Sequence, residues 1–84
     1  MERNEVLAEL NKVFKKVFEN NEMTISEETK AEDIERWDSM HHIMLLKGIQ
    51  DVFKIKLPFK QAARVRKVND MLDLIMKSLP STAG

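Results

Sequence analysis

Between Glu5 and Phe18, apolar residues recur as Val6, Leu7, Leu10, Val13, Phe14 and Val17. The spacing i, i+1, i+4, i+7, i+8, i+11 traces one face of an α-helix, and Glu5, Glu9, Lys12 and Lys16 fall away from it. It predicts a first helix over residues 3–18, stopped by Asn20-Asn21. From residue 19 to 37 no period survives: Met23, Ile25 and Ile34 stand scattered among Glu, Thr, Ser and Asp. That stretch reads as a long ordered loop pinned by those three side chains, with room for one short turn of helix. Loops of this length in a small domain are usually functional or closely packed.

A second period opens at Ser39 and runs to Phe53, with His42, Leu45, Leu46, Ile49 and Phe53 on its inner face. Met40, Ile43, Met44 and Val52 widen the apolar arc beyond what one core contact needs. Gly48 costs about 1 kcal/mol relative to alanine inside a helix and so marks a close approach of another helix. Lys54 to Pro58 reads as an extended connector, because a residue before proline avoids the helical region. Pro58 then suits the first turn of a short helix over 59–65. Asn69 or Asp70 is the expected cap of a last helix over 69–79, with Val68, Leu72, Ile75 and Leu79 inward. Asp70 and Asp73 near its start and Lys77 near its end match the helix dipole. Pro80-Ser81-Thr82-Ala83-Gly84 reads as a frayed tail, leaving one domain over 1–79. The expected fold is all-α: a small antiparallel four-helix bundle with a long first loop and a short third helix.

Size narrows the function classes. A chain of 84 residues buries only ~60% of its unfolded surface and does not readily enclose a deep catalytic cleft. It has no cysteine, which excludes disulfides and thiolate metal sites and points to a reducing compartment. The polar start, Met1-Glu2-Arg3-Asn4-Glu5, is no secretory signal, and no apolar run reaches the length of a membrane span. The expectation is a soluble, cytoplasmic, monomeric protein.

Net charge is zero, yet the charges are segregated: eleven acids face six bases in residues 1–38, and three acids face eight bases thereafter. Lys54, Lys56, Lys60, Arg64, Arg66 and Lys67 form a block with no acid, interleaved with Ile55, Phe59 and Val65. This face supports an alternative reading, an unmodified helical interaction module. A neutral chain with an acidic first half argues against nucleic acid as its partner. The loop acids lack the alternating ligands and central glycine of a calcium loop. His41 and His42, adjacent on a helix, point about 100° apart and make no metal pair.

The candidate for chemistry is Ser39, at the junction Trp37-Asp38-Ser39-Met40 between the acid-rich loop and the apolar helix. Asp or Ser at such a junction caps the helix by accepting a backbone N–H, and grammar alone favours that role. A hydrolase built on Ser39 and His42 lacks any group that would orient the base.

Asp38-Ser39-Met40, followed by Leu45, Leu46, Ile49 and Phe53, resembles the acyl carrier protein family. In that family Asp-Ser-Leu or Asp-Ser-Met opens the second helix and a phenylalanine follows fourteen residues after the serine, as Phe53 does. Leu57-Pro58, Ala62, Val65 and Val68 continue the register without a gap, so the resemblance spans nearly the whole chain. It implies that Ser39 is the attachment point of 4′-phosphopantetheine, donated from coenzyme A by a separate transferase carrying its own magnesium. It further implies a non-catalytic carrier of an acyl or aminoacyl thioester, loaded by a ligase and read by an acyltransferase or synthase. Asp38, Met40, Ile43, Met44 and Lys47 would meet the transferase and other partners, and Leu45, Leu46, Ala62 and Val65 would line a groove for the cargo. Common members have glycine before Asp-Ser and an acidic second and third helix. Here Arg36-Trp37 precedes the motif, and His41, Met44, Lys47, Lys60 and Arg64 occupy those faces. The Trp-Asp-Ser form resembles stand-alone carriers outside primary fatty-acid synthesis, with dedicated partners.

Overall fold

The computed structural model describes residues 2–79, and the expected tail over 80–84 lies outside them. Four α-helices follow in order: α1 (Arg3–Val17), α2 (Ser39–Phe53), α3 (Phe59–Arg64) and α4 (Val68–Ser78), with a single 3-10 turn at Ala31–Asp33 in the first loop. The protein is the all-α bundle that the periodicity predicts. α1 packs against α2 and α4, and α3 packs against α2.

The periods locate the core. Val6, Leu10, Val13 and Phe14 of α1 meet His42, Leu45, Leu46, Ile49 and Phe53 of α2 and Val68, Met71, Leu72, Leu74 and Ile75 of α4. Ile55 and Leu57 are buried while Lys56 between them is exposed, so the connector before Pro58 alternates as a strand would. Gln50 Oε1 secures it by accepting the Leu57 N–H at 2.8 Å.

The long loop is held chiefly by polar contacts. Asn11 of α1 supplies what a neighbouring strand would: its Oδ1 accepts from Ile25 N at 2.7 Å and its Nδ2 donates to Ile25 O at 3.2 Å. With its backbone paired, Ile25 enters the core at 3% exposure, while Met23 and Ile34 pack partly buried beside it. Further along, Ala31 N–H donates to Arg66 O, and Val68 N–H donates to Thr29 O. Arg3 binds Glu27 of the loop, and Asn69 and Asp73 of α4.

These contacts correct one expectation. Neither Asn69 nor Asp70 caps α4, which begins at Val68 with Lys67 at the cap position and no side-chain cap. The loop carbonyl of Thr29 satisfies the first amide instead, and Asn69 is engaged by Arg3. A tertiary contact has taken the place of a local one. The stop at Asn20-Asn21 also shifts: α1 ends at Val17, and Glu19 adopts the left-handed conformation with φ 50°.

Gly48 sits where α2 passes α1, and a Cβ there would stand 3.0 Å from Val13 Cγ1. Gly48→Val places branched carbons into that contact, so overpacking is expected to outweigh the gain in helix propensity. The expected loss is about 1–3 kcal/mol, read as a lower urea midpoint at unchanged slope.

Candidate functional site at the start of the second helix

Ser39 is the first residue of α2 and is exposed. Asp38 precedes it with extended backbone, φ −107° and ψ −172°, and performs the capping. One carboxylate oxygen, Asp38 Oδ1, accepts the backbone N–H of His41 at 2.9 Å and the ring Nδ1–H of His41 at 2.8 Å. The backbone N–H, followed by the ring, holds the Asp38 carboxyl below its ordinary value of 3.8. Cap and candidate site are thus two residues. Ser39 Oγ makes no hydrogen bond among the described residues, and the amides of Ser39 and Met40 are the first-turn donors left without a partner. An exposed hydroxyl beside free helix N–H groups can accept a phosphoryl group, because the helix terminus favours the negative charge that results.

Behind this surface lies a buried polar pair. Trp37 and His42 are 8% and 3% exposed, and Trp37 Nε1–H donates to His42 Nδ1 at 3.0 Å. His42 Nε2 lies 2.8 Å from the backbone oxygen of Ala62 in α3. Phe14 of α1 meets the Trp37 ring edge to face, centroids 5.3 Å apart. His41 stacks on Phe18 with centroids 5.1 Å apart. Sequence reasoning placed His42 inward but missed its partners. The available signal was a polar side chain on an apolar face, which needs a donor and an acceptor, close to an indole that must donate.

The residues expected to meet partners surround Ser39. Met40, Ile43 and Met44 are 69%, 59% and 45% exposed, and Lys47 is exposed one turn further along. α2 forms a ridge between two depressions. On the α1 side, Met44, Gly48 and Val52 face Val13 and Val17 across a groove of about 560 Å³. On the α3 side, Ile43, Leu46, Gln50, Leu57, Phe59 and Ala62 line a cleft of about 130 Å³. That volume is well below the ~300 Å³ at which ligand pockets begin, so the cleft is shallow as it stands. Of the four residues expected to line a groove, Leu46 and Ala62 border this cleft. Leu45 is fully buried in the core, and Val65 borders a separate hollow with Leu74 of α4. A larger hollow of about 580 Å³ lies under the first loop, around Met23 and Ile34.

Lys54, Lys56, Lys60, Arg64 and Lys67 are exposed and form no ion pair among the described residues. Arg66 donates to the carbonyls of Ala63 and Val65. Among the described residues no cluster of His, Cys, Asp or Glu could hold a metal ion, and no helix is long and apolar enough to cross a membrane.

A holo acyl carrier protein from Geobacter metallireducens, solved by solution NMR, matches this structure with a TM-score of 0.79. The match covers 87% of this chain and 84% of that one, at 32% sequence identity. The chain belongs to the acyl carrier protein family. No protein-family model and no curated protein matches it. As an acyl carrier protein it has a carrier role, and its four-helix bundle is the family's fold.

The division of labour between Asp38 and Ser39 has a measurable consequence for this carrier protein. Ser39→Ala removes a hydroxyl that holds nothing, so unfolding free energy is expected to stay within about 0.5 kcal/mol of wild type. Asp38→Ala removes the acceptor of two hydrogen bonds and is expected to lower the urea midpoint clearly. Equal losses from the two substitutions would show that Ser39 shares the cap.

Proposed function

We propose that the protein carries an acyl or aminoacyl group as a thioester on 4′-phosphopantetheine joined to Ser39. The observation that supports it most directly is the exposed, unbonded Ser39 hydroxyl at the first position of α2, relieved of capping by Asp38. The surroundings fit the group: a phosphodiester there lies against the free amides of the first turn and away from the buried core. When bound, the arm supplies a thiol that holds the cargo as a reactive ester.

The chain's own residues present this site and do no chemistry on the cargo. Asp38 fixes the first turn of α2 so that Ser39 projects where a transferase can reach it. Neither imidazole is placed to activate Ser39: both nitrogens of His42 are engaged in the interior, and among the described residues the Ser39 hydroxyl makes no hydrogen bond to the ring of His41, whose one bond is to Asp38. Met40, Ile43, Met44 and Lys47 form the surface that a transferase, a loading ligase and a downstream acyltransferase or synthase would share. An exposed apolar patch of this kind, rimmed by polar side chains, is characteristic of an interaction site. Leu46 and Ala62, with Ile43, Leu57 and Phe59, border the cleft that would widen to shelter cargo. The unpaired bases of α3 and the Trp-Asp-Ser motif favour dedicated partners over fatty-acid synthesis enzymes that read an acidic carrier. The reading places the protein in the cytoplasm as a monomer.

The test is incubation with coenzyme A, magnesium and each of several phosphopantetheinyl transferases, followed by intact mass measurement. The expected result is one added phosphopantetheine on wild type and none on Ser39→Ala. An unmodified wild-type mass across all transferases would end this reading.

A further inference from the structure

Trp37 and His42 bracket Ser39 in the sequence, and the structure joins them to α3. A carbonyl only accepts, so the 2.8 Å contact with Ala62 O requires the proton on His42 Nε2. Nδ1, accepting from the indole N–H at 3.0 Å, must then be bare. The ring is held in one neutral tautomer with both nitrogens used. A second proton would set Nδ1–H against the indole N–H, donor facing donor, at a position only 3% exposed. Trp37 lies two residues before Ser39, His42 three after it, and Ala62 borders the cleft between α2 and α3.

We propose that Trp37, His42 and Ala62 form a positioning chain through which α3 holds the start of α2 in place, and that protonation of His42 breaks it. Presentation of Ser39 and closure of the cleft then fail together in acid. The part that concerns Ser39 rests on the carrier function proposed above.

The charges around the ring favour its neutral form. Burial, with the positive Arg66 following α3 as a smaller contribution, pushes His42 below the ordinary 6.5 against the pull of the Ala62 carbonyl. On the α2 side, Asp38 and His41 are tied to each other at the surface. From α1, Phe14 meets the pair through the indole. The unfolded chain binds a proton near 6.5 and the folded one only at lower pH. The contribution of His42 to stability is therefore full above 6.5, falls as pH drops below it, and is gone beneath the folded value.

Trp37 is the only tryptophan, so its emission reports on one site. Emission and the His42 ring signals in NMR are followed on the unmodified protein from about pH 8 to 5. They are expected to move together at a pH below 6.5. His42→Gln keeps a donor and an acceptor without titrating, and its emission should stay flat. Trp37→Phe removes the partner of bare Nδ1 and should raise the His42 titration toward 6.5, an arm that decides the matter even if His42→Gln fails to fold. The ratio of wild-type to His42→Gln modification rates at Ser39, which cancels the transferase's own pH profile, should fall severalfold across the range. A His42 titration that leaves Trp37 emission unmoved, or an unshifted titration in Trp37→Phe, overturns the coupling. A ratio independent of pH overturns its link to Ser39. Absence of modification in both proteins at every pH overturns the carrier reading and that link together, while the titration stands or falls separately.

Discussion

The bundle depends on anchoring a helix too short to stand alone. α3 has six residues, about half the length at which isolated helices become even marginal, so its position must come from contacts outside itself. Ala62 supplies them twice: its side chain is 1% exposed against the core, and its carbonyl accepts the hydrogen bond from His42 Nε2–H. Pro58 fixes the approach with φ −66°, while Leu57 and Ile55 are drawn inward just before it. A buried imidazole is a costly anchor unless both nitrogens are satisfied. Trp37 satisfies the second nitrogen, and through it the short helix is tied to the segment that leads into Ser39. No buried side-chain polar atom among the described residues lacks a partner, so the network is complete where it is most needed.

The helices were legible because burial writes a period into the sequence. The five residues predicted for the inner face of α2 are the five that are buried, and the core residues of α1 all belong to the predicted stripe. The loop was legible as a gap in that period, pinned by Ile25, which is buried, and by Met23 and Ile34, which are partly so. Not legible was the set of polar pairs across long sequence distances that also holds it: Asn11 with Ile25, Arg3 with Glu27, and Val68 with Thr29. Such contacts leave no periodic trace, because a single asparagine or arginine reads as surface until its partner is known. The failed cap at Asn69 or Asp70 has the same origin. Local grammar offers a side chain for the first amides of a helix, and here a distant carbonyl arrived first.

The candidate site shows the converse. The motif was legible, while the geometry decided which of its residues caps the helix. From the sequence, Asp38 and Ser39 competed for one cap. In the structure a single carboxylate oxygen takes both the backbone and the ring of His41, and the hydroxyl is left over. Of the four residues expected to line a groove, Leu46 and Ala62 border the cleft, whereas Leu45 on α2 and Val65 just past the end of α3 face elsewhere. On α2, Leu45 and Leu46 differ by about 100°, enough to separate core from cleft wall.

Exposure is distributed as a carrier would need it. The protein keeps Met40, Ile43, Met44 and Phe59 in solvent although its small core would gain from burying any of them. It also leaves Lys54, Lys56, Lys60, Arg64 and Lys67, within and on either side of α3, without an ion pair among the described residues. Neither feature helps the fold, since exposed apolar groups invite association and unpaired like charges repel. Met40, Ile43 and Met44 lie on the same helix as the hydroxyl that the cap has released. The interior shows the reverse economy, with every buried polar side chain among the described residues matched. Surface groups left unsatisfied around a fully satisfied interior are what successive docking requires.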